Sequence, residues 1–278
     1  MNARLLFILL LFTIGALWYI IGYWRRKAGE AAFAAARLTE KSEERERYCR
    51  LAVMAGHREA CRMFCLLHPE RFDGHSPHKP FKLRGIRISF YGYYYPSRYN
   101  ALLNDEQRAF CHSIYQFKQG DIHGIEFFKT CMNALQLKKG PYHIMFMPCS
   151  NWIKYGQRFK RLDWYIGKHR QDLTSGLYDV DICDARESLH EAKGGEKRIL
   201  ERNYLITGKI KGKEIIIIDD VLTTGQSVVD YKEEIERCGG KVVAAIFYGK
   251  TLSMPSMLLV QIHVWGNHIA HIIERMTK

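Results

Sequence analysis

The run Glu214-Ile-Ile-Ile-Ile-Asp219-Asp220-Val-Leu-Thr223-Thr224-Gly225-Gln226-Ser227 decides the fold. Four consecutive isoleucines are β-branched and suit a pleated backbone. With no polar alternation among them, they read as a parallel strand covered on both faces, internal to an α/β sheet. The carboxyl end of such a strand is where open α/β sheets bind ligands, and here it carries Asp219 and Asp220. Thr223 to Ser227 lead into Val228-Val-Asp-Tyr-Lys-Glu-Glu-Ile-Glu-Arg237, whose pattern predicts a helix. Hydroxyls, backbone N–H groups, a glycine and a helix N-terminus together make an anion site.

Two adjacent carboxylates repel a bare phosphate, so the ligand must also present hydroxyls or a metal, and a phosphorylated ribose meets both needs. An Asx-type turn would explain one aspartate but not the whole ordered set. The stretch resembles the signature of type I phosphoribosyltransferases: a hydrophobic strand, an acidic pair, then Val-Leu-Thr-Thr-Gly and a small hydroxyl residue. That resemblance implies that Asp219 and Asp220 are the catalytic pair, binding the ribose 2′- and 3′-hydroxyls. It places Thr223, Thr224, Gly225, Gln226 and Ser227 on the 5′-phosphate of phosphoribosyl pyrophosphate (PRPP). It further implies a parallel sheet flanked by helices, Mg²⁺ bound with PRPP, and release of pyrophosphate as a small-molecule nitrogen nucleophile attacks C1. The acceptor is not legible. The same signature also fits a membrane-tethered sensor that binds PRPP or a nucleotide without turnover, because fold does not imply function.

Upstream, His143-Ile-Met-Phe-Met-Pro148-Cys149-Ser150 reads as the first parallel strand and its turn, with Arg158-Phe-Lys-Arg-Leu162 opening a helix. This order is similar to the ComF-like branch of the family, and it assigns Cys149, Ser150 and Asn151 to pyrophosphate. Cys149 itself reads as a small buried hydrophobe rather than a nucleophile. After a short strand at Tyr178 to Cys183, the charged segment from Asp184 to Tyr204 stands where the family has a mobile flap. Lys193, Lys197, Arg198 and Arg202 are its pyrophosphate candidates. Lys241 to Tyr248 continues the sheet, and Leu258 to Val264 is expected as a further strand before a last helix. The paired Cys-x-x-Cys zinc finger that commonly precedes ComF-like domains is missing. Gly208-Lys-Ile-Lys-Gly212-Lys213-Glu214 is not a Walker A loop and no GxGxxG occurs, which disfavours an ATPase or a dinucleotide enzyme.

The 278 residues are 47% hydrophobic and 26% charged, enough for one α/β domain with an appendage. A net charge of +13 suits nucleic acid, an anionic membrane face or polyphosphate substrates without choosing among them. Nucleic-acid binding and homo-oligomerisation are therefore left open. Eight cysteines without paired spacing read as reduced thiols.

Leu5 to Trp24 is an uncharged run, long enough for a helix to cross a hydrocarbon core of about 30 Å. Arg25-Arg26-Lys27 follows it, so the expectation is a single-pass inner-membrane anchor with the bulk of the chain in the cytoplasm. Ala28 to Leu67 reads as a helical hairpin. Its Ala-Gly-His-x-Glu-Ala passage resembles one turn of a Sel1-like or tetratricopeptide-type repeat. His57, Cys61, Cys65 and His68 share a face there, but a helix spreads them too far apart for one metal ion, and no metal ligands are assigned. The aromatic run from Phe90 to Tyr95 reads as a half-buried strand in preference to a base-stacking surface. The expected organisation is an anchor over 1–27, a helical hairpin and linker over 28–82, an accessory hood over 83–139, and a phosphoribosyltransferase-like domain over 140–278.

Overall fold

A computed structural model describes residues 3–122, 124–138, 140–182 and 203–277, with side chains from residue 10 onward. The helices are α1 (Ala3–Leu38), α2 (Ser42–Met54), α3 (Arg58–Leu67), α4 (Pro69–Asp73), α5 (Asp105–Gln119), α6 (Ile125–Leu135), α7 (Trp152–His169), α8 (Gln226–Arg237) and α9 (Met257–Met276). The strands are β1 (Phe81–Leu83), β2 (Ile86–Tyr94), β3 (Tyr142–Phe146), β4 (Leu173–Ser175), β5 (Val180–Ile182), β6 (Tyr204–Ile206), β7 (Glu214–Leu222) and β8 (Lys241–Thr251). They form two compact units, one of residues 1–74, 101–103 and 253–278, the other of residues 75–100 and 104–252.

The first unit is helical, with a core that includes Ala36, Cys49, Ala52, Val53, Phe64, Val260 and Val264. Gly56, at φ +89°, ends α2, and His57 starts α3 by accepting the Ala60 N–H on Nδ1 at 3.2 Å. The His57 ring also stacks on Phe33. Cys61 and Cys65 are core residues, and burial pushes their thiols up to about 11 and about 12.

Two expectations are corrected in this unit. Among the described residues no helix is long and apolar enough to cross a membrane, which overturns the anchor and the inner-membrane localisation. Helix α1 does not end near the Arg25-Arg26-Lys27 cluster but continues to Leu38, with Ala36 in the core. The second correction is Leu258 to Val264, which is the start of α9 and not a strand. Ser256 caps it by accepting the Leu259 N–H, and Val260 and Val264, four residues apart, face the core.

The second unit carries the sheet, ordered β1-β2-β8-β7-β3-β4, in which every pairing is parallel except β1 with β2. Ile215 to Ile218 are completely buried between β3 and β8, as the continuous apolar run requires. β3 and β7 are parallel, but their connections step outward in opposite directions across the sheet: β3 passes through α7 to β4 on one side, and β7 passes through α8 to β8 on the other. This divergence opens a crevice at the carboxyl ends of those two strands.

Helix α5 is seated by the removal of side chains from the strands beneath it. Gly92 of β2 and Gly249 of β8 are register partners. A Cβ on Gly92 would lie 2.5 Å from the Phe110 ring, and one on Gly249 would lie 2.6 Å from Ile114 Cδ1. Phe110, Ile114 and Lys118 recur every four residues on one helix face. They meet β2, β8 and β7 in turn, the last through Asp220. The helix therefore crosses three adjacent strands with one residue over each. An Asn104–Gln107 capping box fixes its start and Gly120, at φ +82°, its end.

Gly92→Ala should destabilise the protein by about 1–3 kcal/mol through overpacking against a rigid ring. Adding Phe110→Leu should recover part of that loss. Urea denaturation of the two variants checks both statements; a Gly92→Ala midpoint equal to that of the parent would show that α5 can lift without cost.

Candidate active site

The β3–β7 ladder ends at Phe146 opposite Ile218, and the last rung is the Met147 N–H donated to the Ile218 carbonyl at 2.9 Å. Pro148 follows, cannot donate, and turns the chain away. From Asp219 to Leu222, β7 is paired with β8, and the flank next to β3 is open. The acidic pair thus stands on the wall of the crevice, on an ordered strand.

Asp220 is buried and held by two cations. Arg158 Nη1, from α7, lies 2.5 Å from its Oδ2, and Lys118 Nζ, from the last turn of α5, lies 3.6 Å from the same oxygen. Asp219 Oδ1 accepts the Asp220 N–H at 2.7 Å and lies 3.9 Å from Arg158 Nη1. Burial pushes the Asp219 carboxyl up to about 7, and the neighbouring Asp220 charge adds to the rise, while Arg158 and Lys118 oppose it. Burial works against the Arg158 charge, but the facing carboxylates more than offset it and hold the guanidinium above its ordinary value. Arg158 Nε is buried and has no hydrogen-bond partner among the described residues.

Beyond the acidic pair, Thr223, Thr224, Gln226 and Ser227 are exposed around a buried Gly225. Gly225 sits at φ +78° as the N-cap of α8, and a Cβ there would lie 2.3 Å from Leu83 Cδ2. Both facts demand glycine. The N-cap Gly225 has no side chain to close this end of α8, and the Gln226 N–H donates to Thr224 Oγ1 at 3.4 Å. Gln226 is tied sideways: its Oε1 accepts from Arg84 at 2.6 Å and its Nε2 donates to Asp230 at 2.6 Å.

Across the crevice the loop after β3 holds Cys149, Ser150 and Asn151. Cys149 is buried and its thiol is pushed up to about 12 by burial, which suits a packing residue. Ser150 is half-buried at the crevice. The Asn151 side chain accepts the Lys154 N–H at 2.9 Å and caps α7, which begins at Trp152, six residues before the expected Arg158 start. Lys193, Lys197, Arg198 and Arg202 lie outside the described residues.

Lys118 had no place in the motif reading, and Arg158 entered it only as the opening of a helix, with no role at the site. Arg158 is one position off the buried stripe Tyr155, Phe159, Leu162 and Ile166 of α7, so a helical wheel puts it at the edge of the packed face. For Lys118 no sequence signal exists, because its partner Asp220 is a hundred residues away and only the seating of α5 joins them.

Residues 171–251 match the family model described as the phosphoribosyl transferase domain. The chain is also similar to the orotate phosphoribosyltransferase of Sulfolobus acidocaldarius, 42% identical over 57 residues, which cover 20% of this chain and 26% of that enzyme. The chain thus spans about a quarter of the length of that relative. The matched segment contains β7, the acidic pair and the Thr223 to Ser227 loop. Lys118 and Arg158 lie outside it.

In the folded protein Asp219 keeps its proton up to about pH 7, whereas in an unfolded chain an aspartate ionises near 4. The contribution of this group to stability is therefore full below about pH 4 and is lost as pH rises through about 7. Asn at this position can still accept the Asp220 N–H. Asp219→Asn should accordingly be more stable than the parent at about pH 8, by on the order of 1–3 kcal/mol, and should show a shallower stability decline from about pH 5 to 8. Urea midpoints at a series of pH values test this, and parallel curves for the two proteins would contradict it.

Proposed function

We propose that the protein is a phosphoribosyltransferase that binds PRPP in the crevice between β3 and β7 and transfers the phosphoribosyl group to a nitrogen nucleophile. The observation that carries the reading is the continuous order of acidic pair, hydroxyl-rich loop and helix N-terminus, set at the topological switch point within the segment that matches the family. In this reading the N–H groups of α8 and the hydroxyls of Thr223, Thr224 and Ser227 hold the 5′-phosphate, favoured by the helix dipole. Asp219 and Asp220 receive the ribose hydroxyls. Ser150 and the loop backbone after β3 face the diphosphate. The turn at Pro148 and the helix that carries Arg158-Phe159 favour the ComF-like branch.

The bond from C1 to the diphosphate oxygen breaks and a bond from C1 to the acceptor nitrogen forms; pyrophosphate departs with the bonding electrons, and the acceptor's N–H proton passes to solvent. Asp219 and Asp220 fix the ring and offset cationic character that develops at the sugar. No group of three or more metal-ligating side chains occurs among the described residues. Mg²⁺ bound with PRPP would be held chiefly by substrate oxygens and water, and would offset charge on the leaving group.

At about pH 8, above the Asp219 midpoint of about 7, Asp219→Asn should weaken PRPP by about 10- to 100-fold, the loss of a charge-assisted hydrogen bond, while circular dichroism stays unchanged. Titration calorimetry with Mg²⁺ and PRPP, beside a pyrophosphate-release assay over a panel of nitrogen bases, measures binding and turnover separately. Parent protein that fails to bind PRPP would refute the assignment; binding without release for any base would reduce it to a ligand-binding module.

A further inference from the structure

A polyanionic ligand placed beside two carboxylates meets repulsion unless the site supplies cations of its own. The matched segment contributes the carboxylates but neither cation next to them. Resting on the phosphoribosyl reading above, we propose that Lys118 and Arg158 are positioning residues of the sugar-phosphate subsite, which neutralise the acidic pair and orient Asp220 so that an anionic ribose phosphate can bind there.

Three observations converge on this. Both cations contact the same oxygen, Asp220 Oδ2, so two positive charges from two helices converge on one carboxylate. Lys118 reaches that oxygen because two register-paired glycines let α5 settle onto β2 and β8. A Cβ on Gly120, the next turn, would lie 2.5 Å from the Gln157 carbonyl oxygen, so the end of α5 is also pressed against α7 beside Arg158. The charged and titratable groups that surround Asp219 are Asp220 from β7, Arg158 from α7, Lys118 from α5 and Cys149 from the loop after β3. With both carboxylates ionised the two acids and two bases sum to zero. Removing either cation leaves a net negative wall where phosphates must approach.

Arg158 is too deeply set for a clean test, since deleting one partner of a buried ion pair leaves the other charge buried and unpaired and destabilises the fold itself. Lys118, with 36% of its side chain exposed, is the better choice. Lys118→Met keeps the aliphatic stem and removes the charge; Lys118→Arg restores the charge. Two readouts apply: affinities of the protein for ribose 5-phosphate and for PRPP with Mg²⁺, and the pH midpoint of the Asp219 carboxyl carbon by NMR in ligand-free protein. Lys118→Met should weaken both ligands by about 5- to 10-fold, as expected for a cation lost at short range in a partly screened site. It should also raise the Asp219 midpoint, and Lys118→Arg should return both quantities toward the parent. A merely structural lysine would leave the midpoint unmoved. Parent protein that binds both ligands, with Lys118→Met binding them equally well or keeping the Asp219 midpoint, overturns the inference while sparing the phosphoribosyl reading. Parent protein that binds neither ligand overturns both.

Discussion

The buried carboxylate of Asp220 is the constraint around which the second unit is arranged. An ionised group removed from water must be paired, and here the partners come from two different helices. Arg158 is brought by α7, whose stripe from Tyr155 to Ile166 packs into the core, so the guanidinium arrives as a by-product of that packing. Lys118 is brought by α5, which rests on strands stripped of side chains at Gly92 and Gly249. Helix seating and site electrostatics are therefore one problem: whatever shifts α5 also shifts a charge at the crevice.

The crevice has a division of labour. On the β7 side the groups are ordered by a strand paired with β8 and by the N-terminus of α8, both backed by fully buried isoleucines. On the β3 side, Pro148 ends the ladder, Cys149 packs inward and Asn151 is spent on capping α7. The first side presents fixed charge and fixed N–H donors, which suits a ligand with two chemically distinct ends. The two carboxylates also differ in environment: Asp220 is ion-paired, whereas Asp219 stands farther from the cations and is pushed up to about 7. Environment alone separates two adjacent and chemically identical side chains.

Much of this was legible in the linear chain. Ile215 to Ile218 declared a strand covered on both faces because four adjacent apolar residues leave neither face for water, and the turn chemistry after Asp220 declared a helix start. The stretch from Leu258 to Val264 misled because a short apolar run has no period that separates strand from buried helix; the Ser256 cap and the continued stripe beyond Val264 arbitrate only once tertiary contacts exist. The apolar run near the amino terminus misled for a related reason: hydropathy shows that a helix avoids water, not that its apolar length spans a bilayer.

By itself, then, the sequence determined the local chemistry: which segment forms the central strand and where its carboxylates stand, since these depend on neighbours within a few residues. Only the tertiary structure decided which cations meet those carboxylates. Register between β2 and β8, set over more than 150 intervening residues, aligns Gly92 with Gly249 and so fixes where α5 can lie. Lys118 is one of many lysines in a basic chain until that register puts it over Asp220, and no local pattern encodes a contact whose cause is the absence of two side chains on other strands.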